Sequence, residues 1–237
     1  MKVPIPVPCR TCGAIYTVTG HGEKILPPAF CPTCRAAIFC IDPLSISIVA
    51  DRLLFRSRAE IDGDEPTISI ICSAIAVETA LTQVFIKWKK IDLKIGKPTP
   101  EQREELVNEY RNGTRRDKSK RSEFEKSMDF VSNFLTGKSF DNFVNDFVRE
   151  KGLAALIGSE SPLGEVELTA SYVHAKLFHK RNRIMHWGEV NFEKDDALSA
   201  FTTACDAISV LKAMDRVRCE AMERSFSKLN LASGSPA

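Results

Sequence analysis

Between Pro66 and about Lys90 the chain sets Ile68, Ile71, Ile75, Leu81, Phe85 and Trp88 at helical intervals. Ile70, Cys72, Ala74, Ala76, Val77 and Val84 carry the apolar surface most of the way round the same cylinder. A helix apolar on nearly all sides must be covered, so this one segment already requires several other helices around it. Asp64 is the expected N-cap, and Pro66 suits the first turn, where a missing N–H costs nothing. Glu78 is the one acid within the stretch. A buried carboxylate is costly unless paired, so Glu78 should meet a cation or a hydrogen-bond donor, a solvated edge being the other reading.

The covering helices follow in order. Thr99-Pro100-Glu101-Gln102 is a capping-box start, and the polar helix it opens should stop at Asn112-Gly113. Ser122 opens the next, with Phe124, Met128, Val131 and Leu135 on one face and Gly137 at its end. Ser139 opens another, ended by Gly152, whose stripe of Phe140, Phe143, Val144, Phe147 and Val148 reads as core. A helix from about Glu165 to His186 and a last long one from Glu193 to about Ser227 complete a helical domain over 65–230. Residues 231–237 read as a disordered tail. Residues 44–64 read as a connecting segment with one candidate strand, since Leu44 to Ile48 alternates.

The first 43 residues are of another kind. Cys9, Cys12, Cys31 and Cys34 form two C-x-x-C pairs separated by 18 residues, the spacing of four thiolates around a tetrahedral zinc ion. Ala14 to Val18 and Glu23 to Leu26 read as short strands between the pairs, and the arrangement looks like a zinc ribbon. The alternative, two disulfides, requires an oxidising compartment. A closed four-cysteine site is structural, with no position left for a reacting water. Arg10, Lys24 and Arg35 could touch a phosphate backbone, or the ribbon could serve as a scaffold or protein contact. Cys72, Cys205 and Cys219 lie in helical patterns and read as packing residues. The expected fold class is therefore mainly α, a helical bundle with a small N-terminal zinc ribbon of short antiparallel β.

Of 237 residues 43% are apolar and 27% charged, the usage of a globular protein, and a net charge of +2 gives no global pull toward nucleic acid. Any basic surface must be local, and the densest is Arg115, Arg116, Lys118, Lys120 and Arg121. Such a loop could neutralise several phosphates, but with no interleaved aromatic it offers no base stacking. No uninterrupted apolar run approaches the ~20 residues of a membrane span, and the proline-rich start lacks an apolar signal core. The expectation is a cytoplasmic protein without a membrane partner.

The chemistry concentrates in Arg181-Asn182, three residues, then His186. Asn182 and His186 are four apart and share a helix face, whereas Arg181 is about 140° round from His186. A guanidinium that holds phosphate beside an imidazole that moves protons near neutral pH suits phosphodiester cleavage. Lys180 and Arg183 add cations to the same turn, which would also suit plain phosphate binding.

This R-N-x-x-x-H element, late in a helical chain, resembles the HEPN superfamily of ribonucleases and nucleotide-binding helical domains. The resemblance implies a homodimer in which two copies of the motif form a metal-independent endoribonuclease site. Arg181, Asn182 and His186 would be its catalytic residues, with Glu78 corresponding to an acid that many such domains direct toward the cleft. It also implies RNA as partner, a toxin or defence role, and allows an antitoxin-like protein inhibitor. The rival reading is a non-catalytic module that binds nucleic acid or protein.

Overall fold

The computed structural model describes residues 4–8 and 15–19 as backbone, then 46–95, 98–153, 156, 168–222 and 224 in full, with helical backbone to 233. The chain divides into two compact units, Met1–Ser45 and Ile46–Ala237.

In the first unit β1 (Pro4–Pro8) pairs antiparallel with β2 (Ile15–Thr19), Ile5 opposite Val18 and Val7 opposite Tyr16. Prolines at 4, 6 and 8 have no N–H, so only Ile5 and Val7 can donate across the ladder; the alternation leaves one edge of β1 without donors. β2 matches the strand expected at Ala14–Val18, whereas β1 was not anticipated. The residues joining them include Cys9 and Cys12. All four paired cysteines and the strand expected at Glu23–Leu26 lie outside the described residues.

The second unit is mainly helical, and among its described residues all regular structure is helix. It begins with α1 (Ile48–Asp62), capped by Ser47, whose hydroxyl accepts from the Ala50 N–H. The stretch taken as a connection is thus a helix packed along α2 (Pro66–Asp92). Their seam is polar and narrow: the Ser57 hydroxyl meets those of Ser69 at 2.8 Å and Ser73 at 2.7 Å. The N-cap of α2 is Glu65, not Asp64; Asp64 takes the left-handed conformation at φ 63° that turns the chain between the two helices.

α2 is the buried axis, with Ile70, Val77, Leu81, Phe85 and Trp88 essentially without solvent contact. α3 (Pro100–Arg115) starts with the expected box, Thr99 and Gln102 each accepting from the other's backbone N–H. It does not stop at Gly113. A Cβ there would collide with the outer end of the Phe130 ring, so this glycine serves close packing against α4 (Glu123–Thr136). Ser122 and Glu125 form the second capping box, and Gly137 closes α4 in the left-handed region. α5 (Phe140–Lys151) follows its Ser139 cap and buries Phe140, Phe143 and Val144.

The expected start of the motif helix, residues 165–167, lies outside the described residues, and from Ala170 the segment expected to be one helix has three parts. α6 (Ala170–Val173), capped by Thr169, runs into a π-helical turn (His174–Phe178) and then α7 (His179–Trp187), which Gly188 ends at φ 67°. Finally α8 (Lys194–Ser233) packs along α2 and extends past the expected end near Ser227, through residues assigned to a tail. Although no uninterrupted apolar run stands out, α2 and Lys194–Met222 are long and apolar enough to cross a membrane by length and composition. More than half of each apolar window is buried within the fold, and both helices supply the bundle's core.

Candidate functional site

α7 carries the R-N-x-x-x-H residues, and none of its side chains is buried. Two links fix its course. Arg181 Nη2 lies 3.7 Å from Glu78 Oε2 on α2, and beyond the far end of α7 the Val190 carbonyl accepts from Thr67 Oγ1 at 3.2 Å. The motif therefore runs antiparallel to the first half of α2, from Glu78 back to Thr67.

Glu78 is the partner for Arg181 that its place in an apolar helix called for. Burial pushes its carboxyl pKa up from the ordinary 4.5, and the Arg181 guanidinium draws it part of the way back. Arg181 Nη1 also donates to Asn182 Oδ1 at 3.0 Å. A carboxylate on one helix and an amide oxygen on the next residue thus hold the guanidinium from two sides, with its side chain 27% exposed. Asn182 here orients the arginine.

His186 is not drawn into this cluster. It is exposed and has no hydrogen-bond partner among the described residues. α7 is regular α-helix throughout, so the 140° offset between Arg181 and His186 is not relieved; the loosened turn lies ahead of the motif, not before Gly188. One chain points its arginine toward α2 and its histidine outward.

The neighbouring cations have internal duties. Lys180 Nζ bonds Asp196 Oδ1 at 2.5 Å, clamping α7 to the first turn of α8. Arg183 forms a two-pronged pair with Glu189 and lies 5.6 Å from the Phe192 ring centre, tying the helix to the loop that follows. In the basic loop Arg121 is engaged by Asp117 at 2.8 Å and by Asp129, which together hold its pKa above the usual range. Arg115, Arg116, Lys118 and Lys120 are exposed.

Sequence reasoning missed the apolar rim of the motif. Met185, Trp187 and Val190 are 56%, 75% and 65% exposed, and Ile68 and Ile75 surface on the stretch of α2 that α7 follows. The signal was available in Met185 and Trp187 flanking His186, but exposure is a property of packing. The described cysteines are free and partly buried; burial raises the Cys72 thiol and pushes the Cys205 thiol up to about 12. Among the described residues no cluster of three or more His, Cys, Asp or Glu could hold a metal ion.

Compared with protein-family models, curated proteins and solved structures, the chain matches none.

Proposed function

We propose that the chain is a metal-independent endoribonuclease of HEPN type, working as a homodimer. The observation that carries this reading is the Glu78–Arg181–Asn182 cluster on an exposed helix that also bears an unpartnered His186. Arg181 would hold the scissile phosphate and offset the charge that builds on it during attack. His186 would take the proton from the ribose 2′-hydroxyl or return one to the leaving 5′-oxygen. The O2′–P bond forms as the P–O5′ bond breaks, leaving a 2′,3′-cyclic phosphate and a 5′-hydroxyl.

Two features support a second copy. Arg181 and His186 diverge round one helix, so a phosphate gripped by one copy's arginine is better served by the other's histidine. The exposed Met185, Trp187, Val190, Ile68 and Ile75 give the motif the kind of apolar margin that a partner surface covers. The four paired cysteines would hold a structural zinc ion, and β1 and β2 flank the first pair as the strands of a ribbon hairpin would. A cytoplasmic site of action, a toxin or defence role and an antitoxin-like inhibitor belong to the same reading. The binding-only alternative loses the support it drew from extra cations, because Lys180 and Arg183 are engaged by Asp196 and Glu189.

The test is incubation with structured RNA in excess EDTA, beside Arg181→Ala and His186→Ala. Cleavage by the parent alone supports the reading. Mixing the two inactive variants should restore part of the activity by forming hybrid dimers. RNA binding without cleavage by any form would establish the binding module instead.

A further inference from the structure

A groove separates the second half of α2 from α3. It consists of two adjoining cavities of about 600 and 570 Å³ that share Pro98, Arg103 and Val107. Ile86, Pro98 and Val107 make its apolar floor, and Lys90, Arg103 and Arg111 stand over it. Glu104 is the one acid among the lining residues of the two cavities.

None of these three cations forms an ion pair among the described residues, which sets them apart from their neighbours. Lys87 is held by Asp215, Lys89 by Glu109 and Arg218 by Asp92. Arg103, Val107, Arg111 and Arg115 recur every fourth residue on α3, so Arg111 and Arg115 stand about 12 and 18 Å along the axis from Arg103. A line of unpaired positive charge over an apolar floor complements a linear polyanion that has apolar faces of its own.

The groove also leads to the candidate site. Thr82, which lines it, lies one turn after Glu78 and donates to the Glu78 carbonyl at 3.0 Å. Tyr110 of α3 sits at this junction, its ring packed on Phe85 of α2 and its ionisation opposed by burial and by the Glu78 charge.

We propose that the groove holds the single-stranded RNA flanking the scissile phosphate. Arg103, Arg111 and Lys90 neutralise backbone phosphates, while the apolar floor takes sugars and bases without reading their edges. This rests on the ribonuclease reading of α7.

Binding of a fluorescein-labelled oligouridylate of roughly 12 nucleotides, within the span such grooves cover, isolates this assignment from chemistry. All forms carry His186→Ala. Arg103→Ala with Arg111→Ala should weaken binding about tenfold at 0.1 M salt and make the log–log salt slope shallower by about 1.4, two phosphates' worth. Arg52→Ala with Arg58→Ala removes equal charge from exposed positions of α1 and should change neither. Unchanged affinity in the groove variant, equal loss in the α1 variant, or no binding by the parent would overturn the proposal. Displacement of the RNA by polyglutamate at equal charge would overturn it in favour of an acidic peptide. Cleavage is scored separately with His186 intact. Binding lost from the groove variant with no form cleaving sinks the nuclease and keeps the groove; normal binding and cleavage by that variant does the reverse.

Discussion

Glu78 and Arg181 meet across the seam between the buried axis of the bundle and its most exposed helix. The carboxylate keeps a raised pKa because burial outweighs the arginine's pull. A carboxyl whose folded pKa is raised favours folding below its unfolded pKa, and that contribution is lost as pH rises through the folded value.

Glu78→Gln should therefore hold or raise the melting temperature at pH 7 relative to the parent, with the difference shrinking toward pH 4. Arg181→Ala should move the Glu78 carboxyl titration, followed by carbon NMR, further above 4.5. A titration at 4.5 that does not move in Arg181→Ala would mean that the two groups are solvated and independent.

Glu125 behaves in the opposite sense. Burial raises its pKa, but bonds from Ser122 and from Ser171 Oγ at 2.5 Å win, so the carboxyl stays below 4.5. Its contribution is present above the unfolded pKa and fades as pH falls through the lower folded value. Glu125→Gln should cost about 1–2 kcal/mol at pH 7, as loss of a charged cap does. It should also flatten the loss of stability below pH 4.5, which urea melts across pH would record.

Gly113→Ala tests the reading of that glycine. In an exposed helix the change would stabilise by up to about 1 kcal/mol. Against the Phe130 ring it should instead destabilise by about 1–3 kcal/mol, as overpacking does. Adding Phe130→Leu should recover part of the loss in denaturant melts; a stabilised single variant would show that the ring yields freely.

Chelation should separate the two units. If the paired cysteines hold zinc as proposed, a chelator should release one equivalent in a colorimetric assay and Cys9→Ser should lower that yield, while the helical circular dichroism signal stays near its starting value. Collapse of that signal would show that the bundle depends on the metal.

The sequence revealed what is local. The capping box at Thr99 and the capped start at Ser122 were legible because a hydroxyl and an acid or amide three residues later satisfy each other without outside help. So was the buried axis, whose apolar surface exceeds what one face can hold. α1 was not, because its buried contacts include Ser57 and Glu60, and a serine counts as buried only once Ser69 and Ser73 are opposite. Gly113 read as a stop because its reason, Phe130, lies on another helix. At the site, the motif and the pairing of Glu78 with Arg181 were legible, one as spacing and the other as an acid in need of a cation. The engagement of Lys180 and Arg183 by Asp196 and Glu189 was not, since charge in a sequence carries no address.

The π turn between α6 and α7 adds one residue to an otherwise α-helical path, with His179 N–H reaching back to the His174 carbonyl. One residue is about 100° of rotation. Which side of α7 faces α2 is therefore decided upstream of the motif, by a count rather than by any of its letters. Winding His174–Phe178 as regular α-helix, with no residue removed, would leave R-N-x-x-x-H intact to the eye while swinging Arg181 away from Glu78. Two chains that share the motif but wind this turn differently, one as π and one as α, would spell the same word and aim it in different directions.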